Sequence, residues 1–292
     1  MASIPGGQYS FFAGGQAVNV VTTPDGTNLP PPVPGKFNLE LITSLSGPSG
    51  IPAGYKGVAL ESADGKTIDL AAGNYGVRVV GSGPHTIIAG TGNDTIYGGS
   101  GDNVIYGGSG RDLLYGGAGN DTIYGGTGPE TIHGGSGNDV IYGGSGPSKI
   151  YGDAGNDTIY GGTGPETIRG GDGNDLIYGG SGTGELYGGA GNDTIYGGSG
   201  PDTIDGGAGD NTIYTGSGAD LIRESGAGGH DTVFGFSHAG GDAISFVGEN
   251  SQTTQQVVAT AHESHGNTTI TLPDGSTMTL VGVTNIDHTF FH

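Results

Sequence analysis

One column of residues limits this chain more than any other feature. From Val80 to Arg223 the sequence divides without insertion into 16 repeats of nine residues. The eighth residue of each is Ile or Leu: Ile87, Ile96, Ile105, Leu114, Ile123, Ile132, Ile141, Ile150, Ile159, Ile168, Ile177, Leu186, Ile195, Ile204, Ile213 and Ile222. A representative repeat is Gly116-Gly117-Ala118-Gly119-Asn120-Asp121-Thr122-Ile123-Tyr124, and after a two-residue insertion (Glu224, Ser225) a seventeenth carries Asp231 and Val233. A period of nine fits no helical face, and Gly at this density makes a helix too costly. Each repeat reads as a six-residue Gly-rich turn followed by a three-residue strand such as Thr122-Ile123-Tyr124. The middle side chain then points inward and its two neighbours outward. Parallel strands stacked through tight turns make a solenoid, in which each repeat buries its apolar residue only against its neighbours.

At these residues the pattern Gly-Gly-x-Gly-x-Asp-x-apolar-x resembles the RTX (hemolysin-type) calcium-binding nonapeptide. The resemblance covers about half the chain. It implies an all-β fold, a right-handed parallel β-roll with two repeats per coil, and multiple Ca²⁺ ions held between successive turns on the same side. It further implies secretion through a type I apparatus in an unfolded state. Proteases, lipases, toxins and adhesins share the repeat, so it names no activity.

Composition matters here because Gly, at 68 of 292 residues, commonly signals collagen or disorder. Collagen needs Gly at every third residue, and disorder needs no register; this sequence has neither property. A formal net charge of −21 argues against nucleic acid as a partner. With no Cys there is no disulfide and no Cys-ligated zinc. No apolar run approaches the ~18 residues that a membrane-spanning helix needs, so membrane insertion is not expected.

Metal binding is expected on energetic grounds as well. One buried Ile or Leu contributes roughly 2–3 kcal/mol per repeat. Ordering nine residues costs about 1 kcal/mol or more apiece, and stacked carboxylates repel one another. Calcium takes six to eight oxygens from carboxylates and backbone carbonyls, and extracellular calcium modules commonly bind near ~10⁻⁴–10⁻³ M. Folding and ion binding then form one equilibrium, displaced toward the unfolded chain in a cytoplasm.

The two sides of the expected roll differ. On the side holding Gly116–Tyr124, position 6 reads Asn103, Asp121, Asp139, Asp157, Asp175, Asp193 and Asn211, then Asp231. Asp precedes each of the two Asn (Asp102, Asp210), a swap expected to weaken or re-route ligation. The opposite side reads His85, Asp94, Asp112, Glu130, Ser148, Glu166, Gly184, Asp202 and Asp220, with Pro84, Pro129, Pro147, Pro165 and Pro201 entering at position 5. A continuous calcium row is expected on the first side, and metal only near the ends of the second. Arg111, Lys149, Arg169 and Arg223 fall on the calcium-poor side, either as substitutes for missing cations or as drift.

Position 9 separates the sides again. The calcium-rich side carries Tyr106, Tyr124, Tyr142, Tyr160, Tyr178, Tyr196 and Tyr214, then Phe234, flanked by Val, Thr and Leu at position 7. So long an aromatic stripe reads as a self-assembly interface, as a ladder that only stabilises the sheet, or as a platform for glycan stacking. Ala118–Tyr124 recurs identically as Ala154–Tyr160 and Ala190–Tyr196, so the array has grown by duplication of four repeats.

The flanks divide the remaining chain. Residues 1–35 form an arm ending in a Pro-rich link, without the basic and apolar regions of a Sec signal peptide. Residues 36–79, with short strand-like pieces, read as an N-terminal β cap. The roll occupies 80–234, and 235–292 reads as a C-terminal cap with a β-hairpin at Thr268–Leu272 and Met278–Val283. The finish Ile286-Asp287-His288-Thr289-Phe290-Phe291-His292 resembles an uncleaved type I secretion signal. His262-Glu263-Ser264-His265 has the wrong spacing for a zinc protease helix, and no Gly-x-Ser-x-Gly elbow occurs. The chain therefore reads as non-enzymatic, a secreted calcium-folded component of an extracellular layer, matrix or filament. Homo-assembly would use the Tyr stripe or the N-terminal arm. The competing reading is an ice- or glycan-binding module using the flat Thr/Tyr face; a compact hydrolase in residues 1–79 lacks clustered polar residues.

Overall fold

The computed structural model describes strands at Gly7–Ala13, Gln16–Thr23, Phe37–Ile42, Gly57–Leu60, Thr67–Asp69 and Gly76–Val79, and then residues 83–224, 228–246, 257–272 and 274–291. The Pro-rich link and residues 247–256 lie outside the described residues. Contacts divide the chain into an N-terminal body, residues 1–136, and a C-terminal body, residues 137–292. Each is a parallel β-solenoid of two sheets.

In the N-terminal body, strands Thr86–Ile88, Val104–Gly108 and Thr122–Gly126 pair in parallel as one sheet. Thr95–Tyr97, Leu113–Ala118 and Glu130–Ser136 form the other. Each of these repeat strands pairs residues 18 apart, as Leu114 with Ile132 and Ile105 with Ile123, so one coil is two repeats. Parallel pairing continues toward the N-terminus through Gly76–Val79, Gly57–Leu60 and Phe37–Ile42 to Gln16–Thr23. There Gly7–Ala13 adds an antiparallel strand.

The C-terminal body repeats the scheme. Val140–Gly144, Thr158–Gly162, Leu176–Gly180, Thr194–Gly198, Thr212–Gly216 and His230–Phe234 form one sheet, with Tyr142, Tyr160, Tyr178, Tyr196 and Tyr214 in register. Ser148–Ala154, Glu166–Asp172, Gly184–Ala190, Thr203–Ala208, Leu221–Glu224 and Ala243–Phe246 form the other. The expected hairpin is present: Asn267–Thr271 pairs antiparallel with Thr277–Leu280, which lies parallel to His230–Phe234. Phe290 stacks on His238 at 4.2 Å, tying the last described turn to this end.

The core follows from the repeat. The position-8 Ile and Leu side chains are fully buried, as are Val233 and Ile244. Strands are longer than the three residues expected: most run five to seven, taking in the paired Gly that open the next repeat. Those Gly extend the ladder, as Gly144 pairing with Gly162, because a solenoid this thin has no room there for side chains. A methyl group built on Gly143 would stand 2.9 Å from Ile150 Cδ1 of the opposite sheet. Gly162 adds a conformational demand, with φ at +119° and its missing Cβ directed onto the Gly144 carbonyl.

Candidate metal centre

Positions 5 and 6 of each repeat, at the turn into the strand, fasten successive coils to one another. The position-6 Oδ1 accepts from the backbone N–H one coil earlier: Asp139 N–H to Asp157 at 2.7 Å, Asp157 N–H to Asp175 at 2.8 Å and Asp175 N–H to Asp193 at 2.8 Å. The position-5 Oδ1 accepts from one coil later, as Asn174 N–H to Asn156 at 2.7 Å and Asn192 N–H to Asn174 at 2.6 Å. An Asn-Asp pair thus links three coils. These hydrogen bonds use half of each Asp carboxylate.

The other half is the telling part. Asp112, Asp157, Asp175, Asp193, Asp202 and Asp220 are 1–3% exposed, and Oδ2 of each has no hydrogen-bond partner. On the Tyr-rich side this oxygen packs against the first Gly of its own repeat: a Cβ at Gly152, Gly170 or Gly188 would overlap Oδ2 of Asp157, Asp175 or Asp193. A buried polar atom without a partner costs about 1–3 kcal/mol, and more when charged. Burial pushes the carboxyls of Asp121, Asp157, Asp175 and Asp193 up to about 6 from the usual 3.8, against the lowering effect of the backbone hydrogen bonds they accept. Neighbouring carboxylates one coil away add to the rise for Asp157 and Asp175. Hard, anionic oxygens held in a file beside Gly carbonyls are the donor set that calcium takes. The residues fit the ion. Among the described residues no three His, Asp or Glu side chains converge on one point. An ion here would complete its shell with backbone carbonyls and water.

The expected site residues divide between the two sides as follows. Asp121 and Asn103 lie in one file of the N-terminal body, and Asp139, Asp157, Asp175, Asp193, Asn211 and Asp231 in one file of the C-terminal body. Asp94 with Asp112, and Asp202 with Asp220, occupy the other sheet's turns. His85 is a correction. Its N–H donates to Asn103 Oδ1 at 3.0 Å and its strand pairs with Val104–Gly108, so it begins the Tyr-rich side and not the opposite one. The 18-residue coil sets this directly, since 85 stands one coil before 103. Asp242 belongs to the opposite file and escaped the repeat count: it accepts from Asp220 N–H at 3.0 Å, 22 residues away. The signal was Asp242-Ala243-Ile244, the repeat's own Asp-x-apolar triplet displaced by an insertion.

On the opposite side Glu166 is buried and Gly184 leaves a gap before Asp202. Burial and then the charge of Asp202 hold Glu166 up to about 7. Burial likewise raises Asp202 to about 7. The basic residues do not enter this interior. Arg111, Lys149 and Arg169 are exposed, and Arg169 lies over the Tyr187 ring at 4.3 Å.

The Tyr rings form stacks. Tyr142, Tyr160, Tyr178, Tyr196 and Tyr214 follow one another at 4.5–4.9 Å with planes within 7°. Phe234 continues the stack at 5.0 Å. In the N-terminal body Tyr106 lies 4.8 Å from Tyr124. Among the described residues no helix is long and apolar enough to cross a membrane.

Comparison with known proteins agrees with the repeat geometry. The family described as RTX calcium-binding nonapeptide repeat matches residues 81–114, 100–129, 115–150, 133–165, 151–186 and 187–222. No curated protein matches the chain. Among solved structures the chain is similar to the extracellular lipase LipA from Serratia marcescens, at 15% identity over 87% of this chain and 44% of that one, with a TM-score of 0.23. At that score the likeness carries no argument about activity, and the chain spans less than half of the lipase's length.

Proposed function

Residues 81–222 belong to the RTX calcium-binding nonapeptide repeat family, whose repeats bind Ca²⁺ at multiple sites, and from that premise we propose that this chain is a secreted protein that folds on extracellular calcium and serves a structural, non-enzymatic role. The repeat is a structural calcium-binding motif and not a catalytic one. The observation carrying the proposal is the file of buried Asp oxygens without hydrogen-bond partners, Oδ2 of Asp157, Asp175 and Asp193, spaced by one coil. We assign these three, with Asp112, Asp121, Asp139, Asp202 and Asp220, as carboxylate ligands completed by turn carbonyls. Asp94 and Asp231 are assigned at the ends of their files. Such repeats are typical of secreted proteins, and type I export of an unfolded chain accords with folding that waits for calcium.

The Tyr stacks favour assembly as the role. Tyr106 is 40% exposed, and each stack is flat and repeats at the strand spacing, which suits self-pairing with a second copy of the same surface. Circular dichroism across a calcium titration, with sedimentation at each point, tests both statements. Ordered β structure should appear with calcium and vanish with chelator. Larger species should form with calcium and be lost in a Tyr142→Ser/Tyr160→Ser/Tyr178→Ser variant. A strictly monomeric protein at high concentration sinks the assembly role and leaves calcium folding standing. Order retained in chelator sinks both.

A further inference from the structure

Two rungs of the Tyr-rich side reverse the usual dipeptide: Asp102-Asn103 and Asp210-Asn211 flank five repeats that read Asn-Asp, as Asn156-Asp157. The fastening between coils survives the reversal, because Asp and Asn both carry Oδ1. Asn120 N–H donates to Asp102 Oδ1 at 2.8 Å and His230 N–H to Asp210 Oδ1 at 2.9 Å. In the other direction His85 N–H donates to Asn103 Oδ1 at 3.0 Å and Asp193 N–H to Asn211 Oδ1 at 2.9 Å.

What changes is the second atom of the position-6 side chain. In place of a bare Oδ2, Asn103 presents an amide that donates to the Gly101 carbonyl at 2.6 Å and to Asp121 Oδ1 at 3.0 Å. The Asn211 amide donates to the Gly209 carbonyl at 3.3 Å, the Gly207 carbonyl at 3.4 Å and Asp231 Oδ1 at 2.9 Å. Turn carbonyls and the next carboxylate are the groups that a cation would draw together. Here amide hydrogens draw them together, and their partial positive charge repels an ion from the same space.

We infer that Asn103 and Asn211 close their rungs without calcium, the side-chain amide standing in for the ion, so that the order of residues 5 and 6 decides which rungs take metal. The inference rests on the reading of the Asp rungs as calcium sites, and it removes the two Asn from the ligands expected from sequence. In sequence they bracket Asp121, Asp139, Asp157, Asp175 and Asp193; within the C-terminal body Asn211 ends the row of Asp139, Asp157, Asp175 and Asp193.

Charge-neutral swaps test this. Bound calcium per folded chain is counted by equilibrium dialysis and elemental analysis for wild type, for Asp102→Asn/Asn103→Asp, and for Asp210→Asn/Asn211→Asp. The reverse exchange Asn156→Asp/Asp157→Asn completes the set. Each of the first two should gain one ion and the last should lose one. Unchanged counts in the first two, beside a loss in the last, overturn the inference and leave the calcium reading intact. A wild type that binds no calcium overturns the reading beneath it. Should a swapped variant fail to fold, NMR of the calcium-saturated wild type decides. The Asn103 and Asn211 side-chain amide protons should exchange far more slowly than those of exposed Asn156, and equal exchange rates refute the idea.

Discussion

Asp157→Asn should change the sign of its effect with calcium. Asp157 is 1% exposed, its Oδ1 holds the Asp139 N–H, and its Oδ2 has no hydrogen-bond partner. Burial lifts its carboxyl from 3.8 to about 6. At pH 7.5 the metal-free roll therefore carries a charge that it disfavours by about 3 kcal/mol undiscounted, and roughly 1–2 kcal/mol after screening by water near the turn. Asn keeps the Oδ1 acceptor and removes that charge, so at calcium levels below the crossing the variant should be more stable by up to about 1–2 kcal/mol and should become ordered at lower calcium than the wild type. With calcium the variant forgoes one site, worth about 2.7 kcal/mol at 100 times Kd. The two stability curves should cross at roughly 5–30 times Kd. Above the crossing the slope of stability against log calcium should be shallower in the variant by one ion, about 1.4 kcal/mol per tenfold. Urea unfolding followed by far-UV circular dichroism at fixed free calcium measures both quantities. Parallel curves with no crossing would refute the assignment of Asp157 as a ligand.

Acidification should order the metal-free chain. Asp157, Asp175, Asp193 and Asp220 at about 6, and Asp202 and Glu166 at about 7, lie above their unfolded values. The metal-free fold thus holds protons more tightly than the unfolded chain. This contribution to its stability should be fully present below about pH 4, decline as pH rises to about 7, and level off above; chelated protein gaining order with rising pH would contradict this. Ile159→Ala, at a fully buried column position, should lower stability by about 2–5 kcal/mol at saturating calcium, as read by denaturant titration. Gly162→Ala should cost roughly 3 kcal/mol or more, because its φ is +119° and the Gly144 carbonyl that it would strike holds the Thr163 N–H at 3.0 Å. Gly266→Ala, with φ at +80° and nothing near its Cβ, should cost only about 1–2 kcal/mol; equal losses at the two Gly would show that crowding plays no part.

The column of Ile and Leu made the solenoid legible from sequence, because only a nine-residue turn-and-strand unit puts residues such as Ile123 and Ile159 inside at every step. Strand length was not legible. The doubled Gly reads as turn chemistry, yet Gly125 and Gly126 extend the strand that begins at Thr122, and packing against the opposite sheet decides this. The carboxylate files were legible as positions but not as geometry. That Asp157 spends one oxygen on the backbone and buries the other follows from the meeting of coils 18 residues apart. The side of His85, by contrast, was legible: two repeats per coil put residue 85 one coil before Asn103, whose Oδ1 accepts its N–H. Asp242 was hidden because an insertion hides phase while the folded chain restores it.

The three-coil fastening by Asn-Asp pairs has a consequence for how such a chain changes size. Asn156 and Asp157 reach only to residues one coil on either side, through the N–H groups of Asn174 and Asp139. Excising or inserting 18 residues anywhere between Val140 and Gly198 would leave each surviving Asn-Asp junction of the Tyr-rich side with partners of the same kind. Length in this architecture is a digital quantity, adjustable in steps of about 4.8 Å, while any other increment throws donors and acceptors out of phase. Genetic slippage by 18 residues would keep the coils in phase at a different length, and slippage by a single nonapeptide would not.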